Sequence, residues 1–147
     1  MKNKTKRINW DEYFMQIAEL VSSRSTCSKI SVGCVITKDR RIIGTGYNGS
    51  PVGLPHCADE GCIIYNNHCI RSLHAEVNAI LQCAMHGVST LGSVIYITHL
   101  PCWHCSLMLI NAGVRKISYL NDYIDDRGNQ LELLNEADID VEKINFK

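Results

Sequence analysis

The chain has 147 residues, fifteen basic and fifteen acidic, so its formal net charge is zero. A chain of that length favours one domain, spanning 1–147, and buries roughly 68–70% of its unfolded surface, enough for a real core. Charge neutrality argues against broad electrostatic attachment to nucleic acid or a membrane surface, and no apolar run approaches the roughly 18 residues of a spanning helix.

In chain order, the start "MKNKTKRINW" is basic but leads into an amphipathic stretch rather than an apolar signal core. Asn9 followed by Glu12 reads as a helix start with a capping-box carboxylate. Phe14, Ile17, Ala18 and Val21 then fall at helical spacing, which predicts an amphipathic helix over 10–23. "SVGCVIT" and "RRIIGTG" are short β-type runs joined around Lys38–Arg40, a predicted hairpin. Residues 46–71 carry Gly, Pro, Asn, His and three Cys without periodicity and read as a long functional loop. Val77, Ile80, Leu81 and Ala84 restore the helical period, predicting a helix over 73–85. "SVIYITH" suits a strand covered on both faces. Pro101 sits well at a first helical position and Gly113 at a stop. The helix between them is apolar nearly all round and is expected to be buried. "KISYL" is a further strand, followed by the loop "NDYIDDRGNQ", a short helix near 131–136 and a weak strand near 141–145. Strands alternating with helices predict a three-layer α/β/α fold around a central mixed sheet of about five strands.

The chemistry concentrates in two places. With Pro101 opening a helix, Cys102 and Cys105 share one face of its first turn, where unpaired N–H groups favour thiolate. Two thiolates suit zinc, but a mononuclear site needs a third protein donor, and His74 is the best candidate at the start of the preceding helix. Three donors leave a fourth position for water, as in a catalytic rather than a closed structural site. Glu76 then has a use, as a carboxylate able to move that water's proton. H-x-E alone is weak and C-x-x-C alone moderate; "HAEVNAI" followed by "PCWHC" is the pattern of zinc deaminases.

On those motifs the chain resembles the cytidine deaminase superfamily over most of its length. "RSTC" with "VGCVI", "GTGYNGSPVGLPHC" and "HCIRSLHAE" are similar to its deoxycytidylate (dCMP) deaminase branch. The resemblance implies hydrolysis of dCMP to dUMP and ammonia, feeding thymidylate synthesis. It further implies activation by dCTP, inhibition by dTTP and a homo-oligomer, commonly a hexamer. In that chemistry zinc lowers the pKa of a water toward about 7, and Glu76 carries protons to N3 of the ring and then to the departing amine. The resemblance also places Asn48 and Tyr123 near the substrate and Asn78 as a support of the zinc-side helix. Arg24, Ser25, Thr26 and Lys29 surround a turn that could hold phosphate. The allosteric nucleotide is expected near "GYNGSPVG", with Gly46, Tyr47 and Gly49, where glycine permits close approach; Lys29 is a candidate there as well. The expected location is the cytoplasm, or the host cytoplasm for a viral chain.

Blander readings stand beside these. "CWHC" also resembles a disulfide-exchange motif, although such motifs come after a first strand and need no H-x-E. The cluster His56, Cys57, Cys62, His68 and Cys69 leaves room for a second, structural zinc, but its spacing lacks a tight C-x-x-C pair and the favoured reading is metal-free loop thiols. Cys27, Cys34 and Cys83 read as small buried hydrophobes. His86, His99 and His104 read as surface or loop residues, and Arg115 and Lys116 as solvated charge. Rival functions are another deaminase of the same fold, acting on dCTP, nucleosides, guanine or tRNA adenosine, a non-enzymatic zinc module, and a dithiol oxidoreductase.

Overall fold

The computed structural model describes residues 6–146. Helix α1 (Trp10–Ser22) begins at Asn9, whose side chain accepts the Glu12 N–H at 2.8 Å, satisfying one orphan donor of the first turn. Strands β1 (Gly33–Lys38) and β2 (Arg41–Tyr47) form the expected hairpin. Its turn residues Asp39 and Arg40 both take positive φ, 51° and 58°, which matches the right-handed twist of the flanking strands.

Helix α3 (Ala75–Met85) follows, then β5 (Val94–His99), α4 (Trp103–Asn111), β6 (Lys116–Asn121), α5 (Gln130–Glu136) and β7 (Asp140–Lys143). The five long strands make one mixed sheet in the order β2-β1-β5-β6-β7. β1 is antiparallel to β2 and β5, whereas β5, β6 and β7 run parallel, joined by α4 and α5 as crossovers. The three-layer α/β/α architecture is as expected, and so is a sheet of five strands.

Pleat alternation divides the core in two. Phe14, Met15 and Ala18 of α1 pack with Val35, Val94 and Tyr96 on one face. On the other, Ala79 and Cys83 of α3 and Leu109 of α4 meet Cys34, Ile36, Ile95, Ile97 and Ile117, with Leu134 of α5 in the same cluster. α3 lies unusually close to β2. A Cβ on Gly46 would come within 2.3 Å of the Ala75 carbonyl oxygen and 2.4 Å of the Ala79 nitrogen, so only glycine admits this contact.

Three expectations need correction. Residues 46–71 are not one structureless loop: they contain a single helical turn, α2 (Cys57–Glu60), and a small hairpin of β3 (Ile64–Tyr65) and β4 (His68–Cys69). These units are held by local turns and cysteine contacts, which hydrophobic periodicity cannot report. Pro101 is not the first helical residue; Cys102 caps α4 and Trp103 begins it. Nor is α4 wholly buried. Leu109 is fully covered, but Leu107 and Met108 are 43% and 38% exposed, because only one stripe of a helix can face a sheet.

Candidate active site

Both helices that carry the motifs point their N-termini toward the carboxyl end of β5, beside the boundary where strand direction changes. In open α/β sheets this end of the strands is where a crevice forms. His74 is the N-cap of α3 and Cys102 the N-cap of α4, so each donor sits at a fixed helix end rather than on a loose loop. The Cys102 sulfur also accepts the Cys105 N–H at 3.5 Å.

The three donors converge. His74 Nδ1 lies 3.4 Å from each of the two sulfurs, Cys102 Sγ and Cys105 Sγ, and all three ligand atoms fall within 4.8 Å of one another. Two donors of a tetrahedral zinc, with bonds of about 2.3 Å to sulfur and 2.0–2.1 Å to nitrogen, are roughly 3.5 Å apart. The arrangement thus fits zinc in both chemistry and spacing. The cysteines are buried and His74 exposed, which leaves one approach open. Protons are unequally shared: the Cys105 hydrogen bond, helped by His74, pulls the Cys102 thiol down to about 4, and facing that thiolate pushes Cys105 up. The Cys102 contact in turn raises the His74 imidazole.

Glu76 sits in the first turn of α3 and is 5% exposed. Burial pushes its carboxyl up to about 7, against the opposing pull of His74 and of a backbone hydrogen bond. A carboxyl that takes and releases a proton near neutral pH, beside three metal donors, is equipped for general acid–base work.

A cavity of about 200 Å3 opens over this group, lined by Glu76, Ala75, Leu100, Tyr123, His99 and Asn48 among others. Lys29, Asn67, His68, Cys69 and Ser72 extend its wall. Of the predicted substrate residues, the fold brings Asn48 and Tyr123 to the cavity. Asn48 is largely committed already: its Oδ1 accepts the Val32 N–H at 2.9 Å and its Nδ2 donates to the Ile30 carbonyl at 2.7 Å. Asn78 does not line the cavity; it donates to the Tyr47 carbonyl at 2.8 Å and ties α3 to β2. Arg24, Ser25 and Thr26 are absent from the lining too. Ser25 Oγ donates to the Asn48 carbonyl at 3.0 Å, and Thr26 N–H reaches the same carbonyl at 3.2 Å, so this turn braces Asn48 from behind. Lys29, expected to hold phosphate or to serve the effector site, lines the cavity. Gly46 is a packing residue, as shown above. Gly49 pairs with Leu73 in an isolated bridge, and Tyr47 supplies the carbonyl for Asn78; neither lines the cavity.

His99 is not a surface residue: it ends β5, lines the cavity, and burial lowers its imidazole. Cys27 likewise faces the cavity rather than a core, while Cys34 and Cys83 are buried as expected. His68 is marked only as part of "HCIRSLHAE" and of the loop cluster, and Asn67 and His99 have no site role assigned from sequence; the folding of the hairpin and the end of β5 bring them here. The loop cysteines also gather: Cys57, Cys62 and Cys69 present sulfurs within 4.8 Å of one another, and Cys57 Sγ lies 3.6 Å from Cys69 Sγ. His56 and His68 stand outside that trio. Burial raises Cys69, but the Arg71 and Ser72 N–H groups outweigh it and bring the thiol to about 7.

Known proteins share this organisation. A family model, the cytidine and deoxycytidylate deaminase zinc-binding region, matches residues 8–121. ComE operon protein 2 of Bacillus subtilis is 48% identical over 138 residues, covering 94% of this chain and 72% of that protein. The deoxycytidylate deaminase of Mycobacterium phage D29 is 38% identical over 124 residues, covering 77% of this chain and 95% of its own. The crystal structure of dCMP deaminase from the cyanophage S-TIM5, in complex with dCMP and dUMP, superposes with a TM-score of 0.82 at 33% identity, covering 95% of this chain and 99% of that one. With the matched region spanning both motifs and the donors they bring together, the chain belongs to the cytidine and deoxycytidylate deaminase family.

Proposed function

We propose that this chain, acting as one domain, is a zinc-dependent hydrolase that converts dCMP to dUMP and ammonia. The observation that carries the reading is the buried carboxyl of Glu76 beside the His74, Cys102 and Cys105 donors at the floor of one cavity. His74, Cys102 and Cys105 hold the metal. Zinc there supplies Lewis acidity, which makes a water nucleophilic at neutral pH. Glu76 takes a proton from that water and delivers it to N3 of the cytosine ring as the C4–O bond forms. It then carries the second proton to the C4 amino group, which leaves as ammonia. Among the lining residues, Leu100, Ala75 and Tyr123 offer apolar surface for the ring, and Lys29, His68 and Asn67 supply polar groups for a 5′-phosphate.

Three finer points belong to the same proposal. Cys57, Cys62 and Cys69 are donors to a second zinc, supported by their mutual spacing and by the 3.6 Å sulfur separation, close to the roughly 3.8 Å edge of a tetrahedral zinc site. Regulation by dCTP and dTTP and assembly as a hexamer follow from the resemblance. Exposed Leu81 and Met85 on α3, and Leu107 and Met108 on α4, are the kind of apolar surface self-association covers. Thiolate ligands of this kind need a reducing compartment, which supports the cytoplasm, and no described helix is long and apolar enough to cross a membrane. The test is an ammonia-release screen over cytidine, CMP, dCMP and dCTP, with and without dCTP or dTTP as effectors, joined to metal analysis. Turnover confined to cytidine, or none with any cytosine substrate in zinc-loaded protein, overturns the reading.

A further inference from the structure

The segment between β6 and α5 runs along the cavity rim, and its anchor is Asp125. The Asp125 side chain is completely buried, at 0% exposure, yet it carries a charge. It accepts Nε and Nη2 of Arg127, each at 2.8 Å, as a two-pronged pair. It also accepts the Arg127 N–H at 3.0 Å and the Trp103 N–H at 2.6 Å. Trp103 is the first residue of α4 and directly follows Cys102. The carboxylate therefore sits on the amino end of the helix that bears both sulfurs, where the helix dipole favours a negative charge. Gly128 completes the contact: a Cβ there would come within 2.6 Å of the Trp103 ring, so the segment lies flat on the indole.

Packing alone would call for an apolar side chain at 125. A fully buried carboxylate is costly unless its partners satisfy it, and here one partner, the Trp103 N–H, belongs to the helix turn that carries Cys102 and Cys105. We propose that Asp125 and Arg127 are a positioning pair that fixes the first turn of α4, so that the two sulfurs and His74 are held ready for the metal. This rests on the reading that those three donors bind zinc.

The experiment measures zinc affinity by competition with a chromogenic chelator in wild type, R127Q, R127K and D125N, each in a C57A background so that the loop thiols do not contribute. Thermal midpoints of the metal-free proteins are read in parallel. Outer partners of metal ligands contribute about 10–100-fold in affinity, so R127Q and D125N are expected to bind zinc at least tenfold more weakly. R127K, which keeps the charge and loses the fork, is expected to fall between. A role in stability alone would lower the metal-free midpoint and leave the competition unchanged. Losses under fivefold in both R127Q and D125N overturn the proposal; if R127Q does not fold, D125N decides on the same threshold. A C57A protein that retains no zinc at all instead overturns the underlying metal reading, and the pair's role with it.

Discussion

Replacing Glu76 by glutamine separates the chemistry of the site from its cost. The side chain is 5% exposed, and burial raises its carboxyl from an ordinary value of 4.5 to about 7. At about 1.4 kcal/mol per pH unit, that rise corresponds to roughly 3 kcal/mol between the protonated and charged forms. The sign follows from linkage. A folded-state pKa above the unfolded one means that the native chain binds the proton more tightly. The stabilisation is complete below about pH 4.5 and is lost as pH rises through about 7. Glutamine mimics the neutral carboxyl at every pH. Metal-stripped E76Q should therefore match wild type near pH 3.5 and exceed it by up to about 3 kcal/mol near pH 8.5. A bound cation favours the charged carboxylate, so the gain shrinks in zinc-loaded protein. Urea unfolding, followed through the two tryptophans, reads the difference. Turnover moves the other way. A positioned acid–base group contributes typically 10²–10⁴-fold, and Glu76 serves two proton transfers, so E76Q should lose at least about a thousandfold in kcat with zinc retained. An E76Q protein with more than a tenth of the wild-type rate would refute the catalytic assignment. One that is no more stable than wild type near pH 8.5 would refute the burial argument.

Other outcomes follow from the same geometry. Metal analysis should find two zinc ions per chain, falling to one in C57A and to one in H74A, with activity abolished only in H74A. Lys29→Ala should raise KM for dCMP about tenfold and leave KM for deoxycytidine unchanged, since the ammonium contributes a charge-assisted bond of about 1.5–3 kcal/mol only to a phosphate; steady-state kinetics on both substrates checks this. G46A forces a methyl group into backbone atoms 2.3 and 2.4 Å away, between β2 and α3. The expected cost is about 3 kcal/mol or more, a fall of roughly 6–12 °C in the thermal midpoint by calorimetry.

The regular elements outside residues 46–71 and the metal donors were legible in local sequence. Helical spacing at Phe14, Ile17, Ala18 and Val21, and the apolar run at 94–97, are local patterns whose meaning needs no partner. Asn9 and Gly113 likewise punctuate helices through their own backbone chemistry. His74, Glu76, Cys102 and Cys105 were legible because zinc chemistry demands few residue types and because helix ends bring each motif's members together over short spans. Only the tertiary structure decided what surrounds them. His68, Asn67 and His99 reach the cavity because a two-residue-strand hairpin and the end of β5 converge there. Ser25 and Thr26 turn away because their hydrogen bonds go to the Asn48 carbonyl, and the Arg24 N–H bonds back to the Val21 carbonyl. Asp125 and Arg127 lie in the loop "NDYIDDRGNQ", where no local pattern marks the bond that Asp125 accepts from the Trp103 N–H. Contacts between residues far apart in the chain are set by how helices and strands pack, and no local period records that.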